Sequence, residues 1–285
     1  MRLGSAVFGD DHAVVMAIVN RTPDSFYDRG ATFATDAALR RVDEVVSGGA
    51  EIVDIGGVKA GYGAEVSAAE ELDRTRDFVT AVRERYPDLV ISVDTWRAEV
   101  AAELCRSGAD LIIDTWAAAD PELVAVAAEH GAGLVCSHTG GLGPRTDPHR
   151  VGYDDVVADV LHRVTELADR AVAAGVRRDG ILIDPTHDFG KNTRHSLELT
   201  RRLDELVATG WPLLVALSNK DFVGETLDLP AAQRLPGTLA ATAISAWHGA
   251  RVFRAHNVPE TRQVLDMVAS IKGVRQPAVS RRGLA

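Results

Sequence analysis

Eight polar positions in this chain each follow directly on a short apolar run. They are Asn20, Asp54, Asp94, Asp114, Ser137 with His138, Asp184, Ser218 and Arg254. Lys220 and His256 each stand two residues beyond the last two of these. Carboxylates accept hydrogen bonds from N–H groups, whereas Lys and Arg donate to carbonyls, ring nitrogens and anions. Such a set could bind one polar ligand from several sides. It could do so only if the fold gathered residues scattered from Asn20 to His256.

The runs themselves supply that fold. They are Val14–Val19, Glu51–Val53, Leu89–Val93, Asp110–Ile113, Gly133–Cys136, Ile181–Ile183, Leu213–Leu217 and Val252–Phe253. Short continuous apolar runs suit parallel strands buried on both faces. The phrases GAEIVDIGG, GADLIIDT, GAGLVCSHTG and GARVFRAHN repeat one grammar: a Gly ending a helix, a strand, then a polar residue. Stretches at helical period lie between, notably Thr35–Val46, Ala68–Arg83, Arg97–Cys105, Tyr153–Ala173 and Thr238–Trp247. An open doubly wound sheet is the alternative. Eight strand–helix units instead predict an α/β chain folded as one (β/α)8 TIM barrel over residues 1–285, with chemistry at the C-terminal ends of its strands. Residues 275–285 read as a flexible tail.

With 46 % apolar and 25 % charged residues, the composition is that of an ordinary globular enzyme. A net charge of −10 argues against nucleic acid or an anionic membrane as partner, so any anionic ligand needs a local basic cluster. Cys105 and Cys136 give neither a disulfide framework nor metal spacing and read as small buried hydrophobes. No secretory or transmembrane segment is evident, which makes the cytoplasm the expected location.

Loop one, Asn20-Arg21-Thr22-Pro23-Asp24-Ser25-Phe26-Tyr27-Asp28-Arg29-Gly30, is too long and polar for a minimal strand-to-helix turn. Its NRTPDSF closely resembles the NVTPDSF signature of dihydropteroate synthases. DIGG at 54–57, SVDT at 92–95, DP at 184–185, DFGK at 188–191, LSNK at 217–220 and RAH at 254–256 fall in that family's order, over nearly the whole chain. The resemblance implies a transferase of folate biosynthesis. It joins 6-hydroxymethyl-dihydropterin diphosphate to p-aminobenzoate with loss of diphosphate, as a homodimer. It implies pterin contacts from Asp94, Asp114, Asp184, Phe189, Lys220 and Arg254, and diphosphate contacts from Asn20, Arg254 and His256. Mg2+ would sit at Asn20 and stabilise the leaving charge. No single residue is singled out as catalytic.

The chain departs from the family where the second substrate binds. GGESTRPG after the second strand becomes Gly56-Gly57-Val58-Lys59-Ala60-Gly61-Tyr62-Gly63, so Ala60 and Gly61 replace Thr and Arg. A Lys at 59 does not equal a bidentate guanidinium at 61. The family's Asn in the fourth strand phrase aligns with Ile113, and its Met with Ser137. Its Ser-Arg-Lys-Ser becomes Ser218-Asn219-Lys220-Asp221, and a carboxylate at 221 is expected to repel a benzoate. The pattern resembles a second, divergent paralogue found in actinobacteria, poorly active or inactive in that reaction. Weak synthesis is therefore the first reading, and an inactive or differently specific pterin-binding paralogue the second. A pterin-binding methyltransferase domain ranks third, because loop one and the Lys220 phrase match synthases better.

Several residues also admit plainer roles. Asp54 reads better as a helix cap than as a ligand, and Asp114 as either. His138 is expected to line the pocket, and Lys191 to support the site or pair with Asp188. His187 and His195 read as structural or solvated. Trp96 and Trp116 follow strand ends and could border the pocket, although Trp96, Trp116 and Trp247 all suit packing. Residues 20–32 and 57–66 are expected to be among the least ordered segments without ligand.

Overall fold

The computed structural model describes residues 1–22, 35–61, 63–146 and 151–283. Residues 23–32 of the loop-one expectation, Arg29 among them, and Tyr62 of loop two lie outside the described residues.

A short antiparallel hairpin, β1 (Arg2–Leu3) and β2 (Ala6–Val7), comes first. Eight parallel strands follow: β3 (Val14–Asn20), β4 (Ile52–Gly56), β5 (Val90–Asp94), β6 (Leu111–Asp114), β7 (Gly133–Ser137), β8 (Ile181–Asp184), β9 (Leu214–Val215) and β10 (Val252–Ala255). They are ordered β8-β7-β6-β5-β4-β3-β10-β9. A parallel bridge between Ile183 and Leu213 joins the two ends, and Ile183 N donates to Pro212 O at 2.9 Å. The sheet thus closes into the barrel that the eightfold pattern predicts.

Alternation along each strand divides the core in two. Val14, Met16, Ile52, Val90, Leu111, Val135, Leu182, Leu214 and Val252 fill the barrel interior. Val15, Ala17, Val53, Ile91, Ile112, Leu134, Ile183 and Phe253 face the helices. Leu3 of the hairpin is fully buried and joins the interior cluster, so the hairpin plugs the barrel at the N-terminal end of its strands.

The helices are α1 (Thr35–Ser47), α2 (Ala68–Arg85), α3 (Ala98–Arg106), α4 (Leu123–His130), α5 (Val156–Ala173), α6 (Thr193–Arg201), α7 (Leu203–Val207), α8 (Asp221–Leu227), α9 (Leu235–His248) and α10 (Val258–Ile271). Side-chain caps start several of them. Ser67 accepts from Glu70 N before α2, and Asp155 accepts from Val157 N and Ala158 N before α5. Gly131 and Gly249 end α4 and α9 at φ 64° and 109°, the left-handed cap in the repeated Gly-Ala phrase. Among the described residues no helix is long and apolar enough to cross a membrane.

Candidate active site

Strand parity decides which polar residues reach the barrel interior. On β4 and β5, Ile52 and Val90 face inward, so Asp54 and Asp94, two and four residues on, do too. By the same count Asn20, Ser137, Asp184, Ser218 and Arg254 point inward. On β6 the inward residues are Leu111 and Ile113. Asp114 therefore faces the helices.

Four of those inward groups, Asn20, Asp94, Ser218 and Arg254, line a cavity of about 450 Å³ at the C-terminal mouth. Its walls include Asn20, Asp94, Phe189, Lys220, Arg254 and His256, together with Thr22, Trp116, Ser218 and Val58–Gly61. Asp184, 4 % exposed, is not part of that wall but lies near enough to Lys220 and Arg254 to feel both charges. A pocket of this size, with several convergent polar groups, fits a small ligand.

Arg254 spans the interior. Its guanidinium donates to Asp54 Oδ2 through Nε at 2.8 Å and lies 2.6 Å away through Nη2, which also donates to Asp94 Oδ2 at 3.1 Å. Asp54 is fully buried and caps no helix, which corrects the capping expectation. Its inward position on β4 leaves its carboxylate no helix end to reach, and Arg254 is its partner instead. Asp94 Oδ1 accepts from Thr115 Oγ1 at 2.8 Å. Burial raises the Asp94 carboxyl above the usual range, against the pull of Arg254. Burial also pulls the Arg254 guanidinium down, but Asp54 and Asp94 outweigh it and hold its charge more tightly than usual.

Asp184 Oδ1 accepts from Thr186 N at 2.7 Å, and burial raises its carboxyl. Lys220 Nζ donates to His187 O at 2.6 Å and lies 4.3 Å from the centroid of the Phe189 ring. Burial pulls its ammonium down, more than Asp188 and Asp184 raise it. Trp116 meets the same Phe189 ring edge-on, with centroids 5.5 Å apart. Trp116 thus borders the cavity, while Trp96 instead stacks against the Arg97 guanidinium.

Other expectations need correction. Asp114 is not brought to the mouth: Oδ2 accepts from Ala118 N at 2.6 Å, and the residue lines a separate cavity of about 30 Å³ under α4. Burial pushes its carboxyl up to about 6. His138, next to inward-facing Ser137, turns outward for the same reason of parity and bonds Asp159 on α5 at 2.7 Å. Lys191 makes no ion pair with Asp188. Its ammonium donates to three backbone carbonyls instead. Asp221 lines the cavity but is bridged by Arg234 at 2.7 Å, which offsets the expected repulsion. His187 bonds Thr200 and His195 caps α6, both structural roles. Burial pushes both cysteine thiols up to about 12, and Cys136 is buried while Cys105 is half-buried.

Loop two brings Lys59, Ala60 and Gly61 to the cavity wall. Arg145, which the sequence reading passed over, straps this loop from the segment after β7. It donates to Gly61 O at 3.2 Å and to Ala64 O at 2.6 Å. The nearby Arg21 is turned away, donating to Arg74 O and Thr35 Oγ1 with its guanidinium over Phe78.

Comparison with known proteins agrees with this geometry. The chain is 60 % identical to "Inactive dihydropteroate synthase 2" of Mycobacterium leprae, covering 96 % of each. It is 36 % identical to "Dihydropteroate synthase" of Escherichia coli, over 93 % of this chain and 94 % of that one. The solved Yersinia pestis dihydropteroate synthase, in a sulfonamide drug complex, superposes with a TM-score of 0.91 at 36 % identity, covering 96 % and 99 % of the two chains. The pterin binding enzyme family matches residues 16–256, and this barrel, with its inward carboxylates, lysine and arginine, belongs to that family.

Proposed function

We propose that the chain binds a pterin in the mouth cavity and has the architecture of a dihydropteroate synthase, with weak turnover in the coupling of pterin diphosphate to p-aminobenzoate. The supporting observation is the convergence of Asp94, Lys220 and Arg254 on one cavity, with Asp184 near enough to feel the last two. Carboxylates would accept from the amino and ring N–H groups of a pterin, and Lys220 would donate to its carbonyl edge. Phe189 and Trp116 offer aromatic faces and edges to a flat ring. Asn20, Arg254 and His256 would hold the diphosphate.

Mg2+ typically keeps several waters and takes one or two protein oxygens plus phosphate oxygens. Among the described residues no cluster of three His, Cys, Asp or Glu could hold a metal alone. An amide oxygen from Asn20 on the cavity wall fits that thinner donor set. When bound, the ion would neutralise the departing diphosphate.

Loop two favours a second reading, a pterin-binding protein without synthase turnover. Val58–Gly61 reach the cavity wall with one cation, Lys59, and no guanidinium or hydroxyl. The Mycobacterium leprae relative is named inactive. Homodimerisation through α9 and α10, and a cytoplasmic location, complete the proposal. Ile244, Trp247, Met267 and Ile271 form an exposed apolar face on those two helices.

Calorimetry with 6-hydroxymethylpterin tests the pterin site. Asp184→Ala should cost roughly 2–4 kcal/mol of affinity, because it removes a buried charged acceptor. Equal affinity in wild type and variant would reject the assignment. Product formation with p-aminobenzoate and Mg2+ separates weak turnover from none.

A further inference from the structure

We propose that Lys191 is a positioning residue for the cavity, a buried three-way peg that fixes the 186–190 loop and thereby the Phe189 ring beneath Lys220. The functional consequence rests on the pterin-binding reading, and the structural one on three hydrogen bonds from a single ammonium.

The loop after β8 is costly to build. Thr186, Asp188 and Gly190 adopt φ values of 52°, 69° and 63°. Left-handed backbone at a β-branched residue is strained, and persists only where the surroundings over-determine it. Gly190 has no alternative, since a Cβ there would meet Thr139 O at 2.2 Å.

Lys191 supplies three of the constraints. Its side chain enters the interior, and the residue is 7 % exposed. The ammonium has three N–H donors, and three carbonyls accept: His138 O at 2.9 Å, Thr186 O at 3.2 Å and Phe189 O at 2.8 Å. The first belongs to the segment after β7 and the others to the loop after β8. One ammonium therefore ties together two mouth segments, which contribute Leu142, Thr146, Asp188, Phe189 and Gly190 to the cavity wall. Tyr153 Oη adds a bond to Gly190 O at 2.7 Å, and Ser196 binds Asp188 at both its amide and its carboxylate.

The consequence reaches the ligand face. With Phe189 O and Gly190 O held from below, the Phe189 ring stands between Lys220 and Trp116. Thr186, held at its carbonyl, keeps its amide on Asp184 Oδ1. A neutral amine has only two N–H donors, so the peg needs the protonated form. Burial pulls the Lys191 ammonium down to about 7, and Asp184 only partly offsets it.

The test is a double-mutant cycle on the full chain with 6-hydroxymethylpterin as probe. Lys191→Met keeps the length of the side chain and removes every donor. Its affinity should fall about tenfold, the loss that about 1.4 kcal/mol of positioning free energy gives. Phe189→Ala should weaken binding similarly, and the double variant should lose no more than Phe189→Ala alone. A purely structural lysine would give additive losses, and either additivity or wild-type affinity in folded Lys191→Met overturns the proposal.

Hydrogen exchange decides the matter without ligand. In Lys191→Met the Asp188 and Phe189 amides should exchange about tenfold faster while strand amides are unchanged, as local opening predicts; unchanged protection overturns the peg. Loss of pterin binding in the wild type would reject the functional reading and leave this measurement intact.

If Lys191→Met does not fold, the wild type carries the test. Phe189 amide protection, corrected for intrinsic rate, should fall as pH rises from 6 to 9. The titratable groups facing Lys191 are Asp184, Asp188 and Lys220 from the mouth, Asp159 from α5, His138 and His187, and His195 from α6, whose imidazole burial pulls below its ordinary value. Burial pushes the His138 and His187 imidazoles down to about 4 and about 3, so both stay neutral throughout that window. Flat protection across it overturns the proposal.

Discussion

Arg254 on β10 reaches past β3 and β4 to place Nη2 3.1 Å from Asp94 Oδ2 on β5, and it holds Asp54 on β4 with the same guanidinium. The ligand-facing carboxylate and the fully buried one thus share a single cation. Asp54 takes the closer contacts, which explains why burial still dominates at Asp94.

That sharing makes Arg254 a stability element as well as a ligand group. Arg254→Met would leave the fully buried Asp54 carboxylate without its counter-charge. Removing one partner of a buried pair typically costs about 3–5 kcal/mol. Adding Asp54→Asn should recover much of that loss, because the buried charge disappears with its partner. Urea unfolding of the single and double variants is the check, and a double variant as unstable as Arg254→Met would contradict the shared-cation account.

Asp114 carries a pH prediction. Its carboxyl rests at about 6 in the fold, through burial, against an ordinary value near 3.8. Between those values the native state binds more protons than the unfolded chain. Stability contributed by this group therefore falls as pH rises through that window, by at most about 3 kcal/mol. Asparagine keeps an acceptor for Ala118 N and removes the charge. Asp114→Asn should flatten the decline in urea midpoint between pH 4 and 6, and an unchanged slope would assign the decline to Asp94 or Asp184.

The contrast between Asp54 and Asp114 marks how far the sequence could be read. The strands, their order and the gathering of Asp94, Asp184, Lys220 and Arg254 follow from apolar runs ending on polar residues. The direction in which each polar residue points does not follow from the run alone, because runs buried on both faces carry no alternation. It needs the inward register, in which Asp54 falls two residues after Ile52 and Asp114 one residue after Ile113. The Leu3 plug, the Arg145 strap and the Arg234–Asp221 bridge were illegible for a different reason. Each joins segments remote in sequence through a side chain that carries no periodic signal.

The apolar face of α9 and α10 yields a test of assembly. Trp247 is 55 % exposed and Met267 61 % exposed, and with Ile244 and Ile271 they put four exposed apolar side chains on adjacent helices. A twofold pairing would bury the same face of both copies. Sedimentation should show a dimer in the wild type and a monomer in Trp247→Lys, with pterin affinity retained in each. A monomeric wild type at micromolar concentration would remove the dimer from the proposal.

The weak turnover we propose should be repairable in loop two alone. Lys59, Ala60 and Gly61 line the cavity where a hydroxyl and a guanidinium would be needed to hold an anionic substrate and a departing diphosphate. Each missing charge-stabilising donor costs about 100- to 1,000-fold in rate. Lys59→Ser, Ala60→Thr and Gly61→Arg together should raise product formation by about 100-fold or more on that scale. Pterin affinity should stay as it is, because Asp94, Asp184 and Lys220 are untouched. Asp221→Ser should add little, since the carboxylate it removes is already bridged by Arg234, which also donates to Asn219 O at 2.9 Å. The decisive comparison is the three-residue graft with and without Asp221→Ser, assayed with Mg2+, pterin diphosphate and p-aminobenzoate. A gain that appears only when Asp221 is also replaced would mean that Arg234 does not neutralise it under turnover. No gain in either background would place the defect at Ile113 and Ser137, the two other interior positions where this chain departs from its family.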